Sequence, residues 1–83
     1  MFAIRYSTRA RKFLKRVDRT ISRRLMKKIE RLREKPILSD TKKIVGSRSL
    51  FRVRVGDYRI LYEVDYRNNM IGIVKIDKRS RVY

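Results

Sequence analysis

The sequence predicts an α+β domain: one N-terminal strand, two antiparallel helices, then a mainly antiparallel β-meander, with the helices packed on one face of the sheet. Three observations carry this. Apolar residues recur at three- and four-residue steps between residues 10 and 32, apolar and charged residues alternate between 49 and 66, and Pro36 follows the first regime. At 83 residues the chain is expected to be a single domain, residues 1–83, with one small core.

Residues 2–6, FAIRY, are β-prone and end at Ser7-Thr8, where a hydroxyl can cap a helix by accepting a bond from an unpaired backbone N–H. Ala10, Phe13, Leu14 and Val17 then share one helical face, ringed by Arg9, Arg11, Lys12, Lys15 and Arg16. Asp18 is the expected cap of a second helix, whose stripe is Ile21, Leu25, Ile29 and Leu32 with Met26 beside it. Lys35-Pro36 stops that helix, because the residue before proline avoids the α region. Residues 37–48, ILSDTKKIVGSR, are expected as a connection with a strand stub at Ile44-Val45. A strand over 49–55 places Phe51, Val53 and Val55 on one face and Arg52 and Arg54 on the other. After a tight turn at Gly56-Asp57, the next strand sets Tyr58, Ile60, Tyr62, Val64 and Tyr66 against Arg59, Leu61, Glu63 and Asp65. Arg67-Asn68-Asn69 turns the chain again. Residues 70–77, MIGIVKID, are nearly continuously apolar and read as a strand covered on both sides or at the sheet centre, and KRSRVY follows.

The formal charge of +17 exceeds what solubility needs and points to a polyanionic partner, nucleic acid ahead of a membrane surface. There is no cysteine or histidine, so thiolate sites and the commonest general base are excluded, and eight scattered acids among 25 basic residues are a poor cation trap. Neither metal nor cofactor is expected. The start, MFAIRYSTRARKF, lacks the apolar run of a signal peptide, and no stretch nears the ~20 apolar residues that span a bilayer, so a soluble cytoplasmic protein is expected. Basic residues outnumber acidic ones 14 to 3 in residues 1–38 and 8 to 4 in residues 49–83. For any single helical base a solvated face is the simpler reading, although together they attract phosphates.

Arg52, Arg54 and Arg59 differ, because adjacent antiparallel strands can bring them to one side of the sheet. Glu63 and Asp65 share the Arg59 face, so an ordinary cross-strand ion-pair ladder competes evenly with a phosphate site. Arg79 and Arg81 follow the last strand and tilt the balance towards a polyphosphate site. Arginine suits that role: its planar fork donates two parallel hydrogen bonds to phosphate oxygens and stays charged. If such a site cleaves RNA, the chemistry is in-line attack of a 2′-hydroxyl on its own phosphate, with arginines stabilising the charge on the phosphoryl oxygens. Proton transfer needs another group, and the Tyr83 phenol near the tail arginines is the candidate.

LFRVRVGDYRILYEV with the KRSRVY tail, behind a strand and two basic helices, resembles the RelE/ParE superfamily of toxins over essentially the whole chain. GDYRILYEV and the spacing of Arg79 and Tyr83 are its most distinctive parts. The resemblance implies a RelE-like fold, a cognate antitoxin protein that covers the basic surface, and one of two activities. RelE-like members cleave mRNA in the ribosomal decoding site, with ribosome and mRNA as partners; ParE-like members poison DNA gyrase. By resemblance to the RelE branch, Arg54, Arg59 and Arg79 hold and stabilise the scissile phosphate, Arg52 assists, Arg81 is an auxiliary phosphate contact, and Tyr83 is the base or stacks on a nucleobase. Positions 52 and 54 hold arginine where well-known bacterial RelE proteins have lysine, which implies phosphate binding without easy proton exchange at these two residues. The expectation is therefore a metal-independent, ribosome-dependent mRNA endoribonuclease. Gyrase inhibition and a non-catalytic basic nucleic-acid-binding module are the alternatives.

Overall fold

The structure, a computed structural model, describes residues 1–78. Strand β1 (Ala3–Tyr6) passes through Ser7 into α1 (Thr8–Arg16). The Ser7 hydroxyl accepts from the Ala10 N–H at 3.0 Å and donates to the Val74 carbonyl at 2.7 Å, so one side chain caps the helix and ties it to the far end of the sequence. Such a cap contributes about 1 kcal/mol. Val17 is already extended, with ψ 156°, and closes α1 instead of extending its apolar face. Asp18 caps α2 (Arg19–Glu34) by accepting from the Thr20 N–H at 3.0 Å, and the helix stops at Lys35, before the proline.

The remaining strands are β2 (Lys42–Lys43), β3 (Leu50–Val55), β4 (Tyr58–Asp65) and β5 (Met70–Lys78). They form one sheet with β1 in the order β1-β5-β4-β3-β2. All pairings are antiparallel except β1 with β5, which run parallel from Ala3 opposite Met70 to Tyr6 opposite Ile73. The expected α+β architecture is thus present, with the N-terminal strand at one edge.

Three local expectations change. The strand stub falls on Lys42–Lys43 and not on Ile44-Val45, because Lys42 and Lys43 pair with Arg52 and Phe51 while Val45 is 99% exposed in the following turn. Tyr66 lies beyond β4, exposed, with its ring edge-on to Phe2. β5 is an interior strand, as its apolar run suggests, but among the described residues it is covered on one side only. Ile71, Ile73 and Ile76 are buried; Met70, Gly72, Val74, Lys75 and Asp77 are half-buried. The spacing from Ile73 to Ile76 is three because the β4 register shifts there: Tyr62 faces Ile73 and Leu61 faces Lys75, leaving Val74 as an extra residue. That β-bulge keeps all three isoleucines on the core side.

Ala10 of α1 and Leu25, Ile29 and Leu32 of α2 pack against Val53, Ile60, Tyr62, Ile71, Ile73 and Ile76 on one face of the sheet. At roughly 1.5–3 kcal/mol per large apolar side chain, this layer supplies most of the driving force for folding. Tyr62 is the buried polar exception. Its phenol donates to the Pro36 carbonyl at 2.7 Å and meets the Thr41 hydroxyl at 3.1 Å, which pins the connection after α2 to the core. The β3–β4 loop has two residues, with positive φ (+58°) at Gly56 alone, as a type II′ turn requires. A Cβ at Gly56 would also lie 2.6 Å from the Arg24 guanidinium of α2.

Candidate nucleic-acid interface

The helices cover one face of the sheet, and register decides what the other face carries. Residues directly opposite each other on antiparallel strands point to the same side. Lys42 faces Arg52, Arg52 faces Leu61, Leu61 faces Lys75, Arg54 faces Arg59, and Arg59 faces Asp77. Two rungs across four strands therefore gather Lys42, Arg52, Arg54, Arg59, Lys75 and Asp77 on the uncovered face. The tight turn at Gly56-Asp57 is what sets Arg54 opposite Arg59. Like charges directly opposite destabilise a sheet, so this pairing is not one that folding alone favours.

Arg59 is held in place from the β5 side. Its Nε and Nη2 donate to the two carboxylate oxygens of Asp77 at 3.2 and 3.3 Å, and Lys75 Nζ lies 3.4 Å from the same carboxylate. The side chains of Arg59 and Asp77 are about one-third exposed, so the pair is reachable from solvent. Arg52 and Arg54 make no ion pair among the described residues. Ile44, Arg52, Arg59, Leu61, Lys75 and Asp77 line a hollow of about 180 Å³. A second of about 200 Å³ lies between Asp40, Lys42, Arg52 and Arg54. Both are small, basic and open, and both suit a phosphodiester more than a bulky apolar ligand.

The anticipated counter-ions are elsewhere. Glu63 and Asp65 do share the Arg59 face, but further along β4, beside Arg5 and Gly72 in a larger groove of about 880 Å³. Asp65 accepts from both the backbone and the side chain of Asn68, and the side-chain bond first of all holds its carboxyl below the usual range. That groove is lined by two acids and one base, Arg5, where the arginine hollow is lined by three bases and one acid. The ion pair that does form at Arg59 uses Asp77. The reading from sequence missed Asp77, Lys75 and Lys42. The signal for the first two was the interval in MIGIVKID: omitting Val74 restores strict alternation and places Lys75 and Asp77 opposite the isoleucines.

Of the site residues expected from sequence, the structure brings Arg52, Arg54 and Arg59 together. Arg79, Arg81 and Tyr83 lie outside the described residues. Among the described residues, no helix is long and apolar enough to cross a membrane.

Known proteins give this geometry a context. The family model for the ParE toxin of the type II toxin–antitoxin system parDE matches residues 4–83. A protein of Methanocaldococcus jannaschii that carries the name toxin RelE1 is 32% identical over 85 aligned residues, spanning 99% of this chain and 94% of its own length. Among solved structures, the archaeal RelE–RelB complex of Pyrococcus horikoshii OT3 superimposes with a TM-score of 0.86 at 27% identity, covering 98% of both chains. The isolated RelE toxin of E. coli superimposes with a TM-score of 0.88 at 20% identity, covering 99% of this chain and 88% of its own, which establishes the shared fold.

Proposed function

The chain belongs to the RelE/ParE superfamily of toxins from type II toxin–antitoxin systems, and from that membership and its open sheet face we propose that it is a RelE-like, ribosome-dependent mRNA endoribonuclease. The observation that carries the reading is the set of three arginines on two adjacent strands, with Arg54 directly opposite Arg59 and, among the described residues, Asp77 as the one acid in an ion pair with any of the three. Such an array serves a polyanion. Arg54, Arg59 and Arg79 hold the scissile phosphate and offset the charge that builds on its non-bridging oxygens, and Arg52 and Arg81 grip neighbouring phosphates. The 2′-hydroxyl attacks in line, Tyr83 takes its proton or stacks on a flanking base, and a 2′,3′-cyclic phosphate and a 5′-hydroxyl result. Neither metal nor cofactor enters this scheme. A RelB-like antitoxin is the partner that silences it, by analogy with the Pyrococcus horikoshii complex.

Net charge supports the ribosomal target. A chain of +17 is drawn into a cavity walled by RNA phosphate, and its association weakens steeply with salt. The name of the matching family model favours a second reading, a ParE-like toxin directed at DNA gyrase.

In vitro translation followed by primer extension on the mRNA tests both. The expected result is discrete cuts in the presence of ribosomes and none without them. Arg59→Ala is expected to slow cutting by about 100- to 1,000-fold, the cost of losing one charge-stabilising donor. Tyr83→Phe separates a chemical phenol from a stacking ring, because only the chemical role is lost. No cuts, with DNA breaks that depend on gyrase, would establish the second reading instead.

A further inference from the structure

The arginine hollow lacks one thing that phosphodiester cleavage requires. When the P–O5′ bond breaks, the departing 5′-oxygen needs a proton, and a guanidinium does not give one up. Of the six residues that line the hollow, only Lys75 and Asp77 exchange protons readily. Asp77 is fully engaged, with both oxygens taken by Arg59, and it is an acceptor there. Lys75 is different. It faces Leu61 across the strands, in the same rung as Arg52 and one rung from Arg59, its side chain is 43% exposed, and Asp77 Oδ2 steadies its Nζ at 3.4 Å. The bulge at Val74 is what delivers it to this face: in an uninterrupted strand Lys75 would share the side of Ile71 and Ile73.

The geometry points to Lys75 as the general acid of this site, with Asp77 as the residue that positions both Lys75 and Arg59. The assignment rests on the nuclease reading above. In the step, the 2′-hydroxyl gives its proton to the site's general base, and its oxygen forms a bond to phosphorus. The P–O5′ bond breaks, and one proton passes from the Lys75 ammonium to the 5′-oxygen. Exchange with solvent returns a proton to Lys75 and removes one from that base, so the enzyme ends as it began. The lysine also keeps a positive charge near the phosphate until the leaving group departs, which a neutral acid would not.

The experiment compares wild type, Lys75→Arg and Lys75→Met on ribosomes programmed with two mRNAs. One carries the ordinary phosphodiester at the cut site. The other carries sulfur in place of the bridging 5′-oxygen, and a thiolate departs without needing a proton. Lys75→Arg keeps the charge and the stem but removes the transferable proton. It is expected to cut the ordinary mRNA about 100-fold more slowly, at the lower end of what proton transfer contributes, and to cut the sulfur-bridged mRNA at nearly the wild-type rate. Lys75→Met is expected to show the same rescue with a weaker grip on the mRNA. An equal defect on both substrates would assign Lys75 to charge or structure and overturn the inference, as would a Lys75→Arg variant that cuts the ordinary mRNA at full rate. Failure of the wild type to cut either mRNA would remove the nuclease reading itself, and this assignment with it. Thermal melting of each variant separates slow chemistry from loss of fold.

Discussion

The two faces of the sheet are built from the same strands and answer to different demands. On the covered face Val53, Ile60, Tyr62, Ile71, Ile73 and Ile76 are closed to solvent and locked between helices and sheet. On the uncovered face, one residue further along each strand, arginine opposes arginine and a shared aspartate holds two cations. The first face minimises free energy; the second gives some of it up, since converging positive charge favours binding over folding. Substitutions should therefore separate cleanly, stability on one side and polyanion binding on the other.

Leu25→Ala gives the largest stability change. The side chain is fully buried against the sheet, and its truncation is expected to cost about 2–5 kcal/mol in urea unfolding, while the folded fraction binds RNA as before. Tyr62→Phe comes next, at about 1–3 kcal/mol, because the Pro36 carbonyl and the Thr41 hydroxyl lose their buried partner. It also carries a pH signature. Burial, partly opposed by the Thr41 hydrogen bond, raises the Tyr62 phenol above its ordinary 10.0. The folded protein thus holds the neutral phenol more tightly than the unfolded chain does. Stability from this group is complete below about pH 10 and declines as pH climbs through the raised value, and Tyr62→Phe should flatten that alkaline decline.

The double variant Arg52→Ala/Arg54→Ala is the smallest in stability, and the opposite in character. Unfolding should move by no more than about 0.5 kcal/mol, upward if anything, since the repulsion between Arg54 and Arg59 is relieved. Anisotropy of a labelled RNA oligonucleotide between about 50 and 200 mM salt should show weaker binding and a logarithmic salt slope shallower by about one to two. A large loss of stability in this variant, or an unchanged salt slope, would break the separation of the two faces.

Much of this was legible in the sequence because the physics was local. Ser7, Asp18 and Pro36 mark helix ends through backbone groups within a few residues, and the alternation from Phe51 to Val64 reports which side of each strand is buried. What was not legible depends on distant pairing. That Ala3 runs parallel to Met70, or that Asp77 rather than Glu63 reaches Arg59, follows from strand order and register, which no short window contains. The stub at Lys42–Lys43 was obscured for a related reason. An edge strand tolerates lysine and need not advertise itself with Ile44-Val45, since charge there discourages stray pairing.

The pairing of β1 with β5 also bears on when the hollow is completed during synthesis. Ala3 finds its neighbour only at Met70, and the hollow gains its lysine and aspartate only at residues 75 and 77. Both helices and the β3–β4 hairpin can form earlier in synthesis, whereas sheet closure and the finished site await the last strand. A nascent or prematurely terminated chain that ends before Met70 has the arginines of β3 and β4 but neither Lys75 nor Asp77, and no parallel partner to hold β1. Such fragments are incomplete by construction, so the hollow is complete only in chains that have been translated through β5.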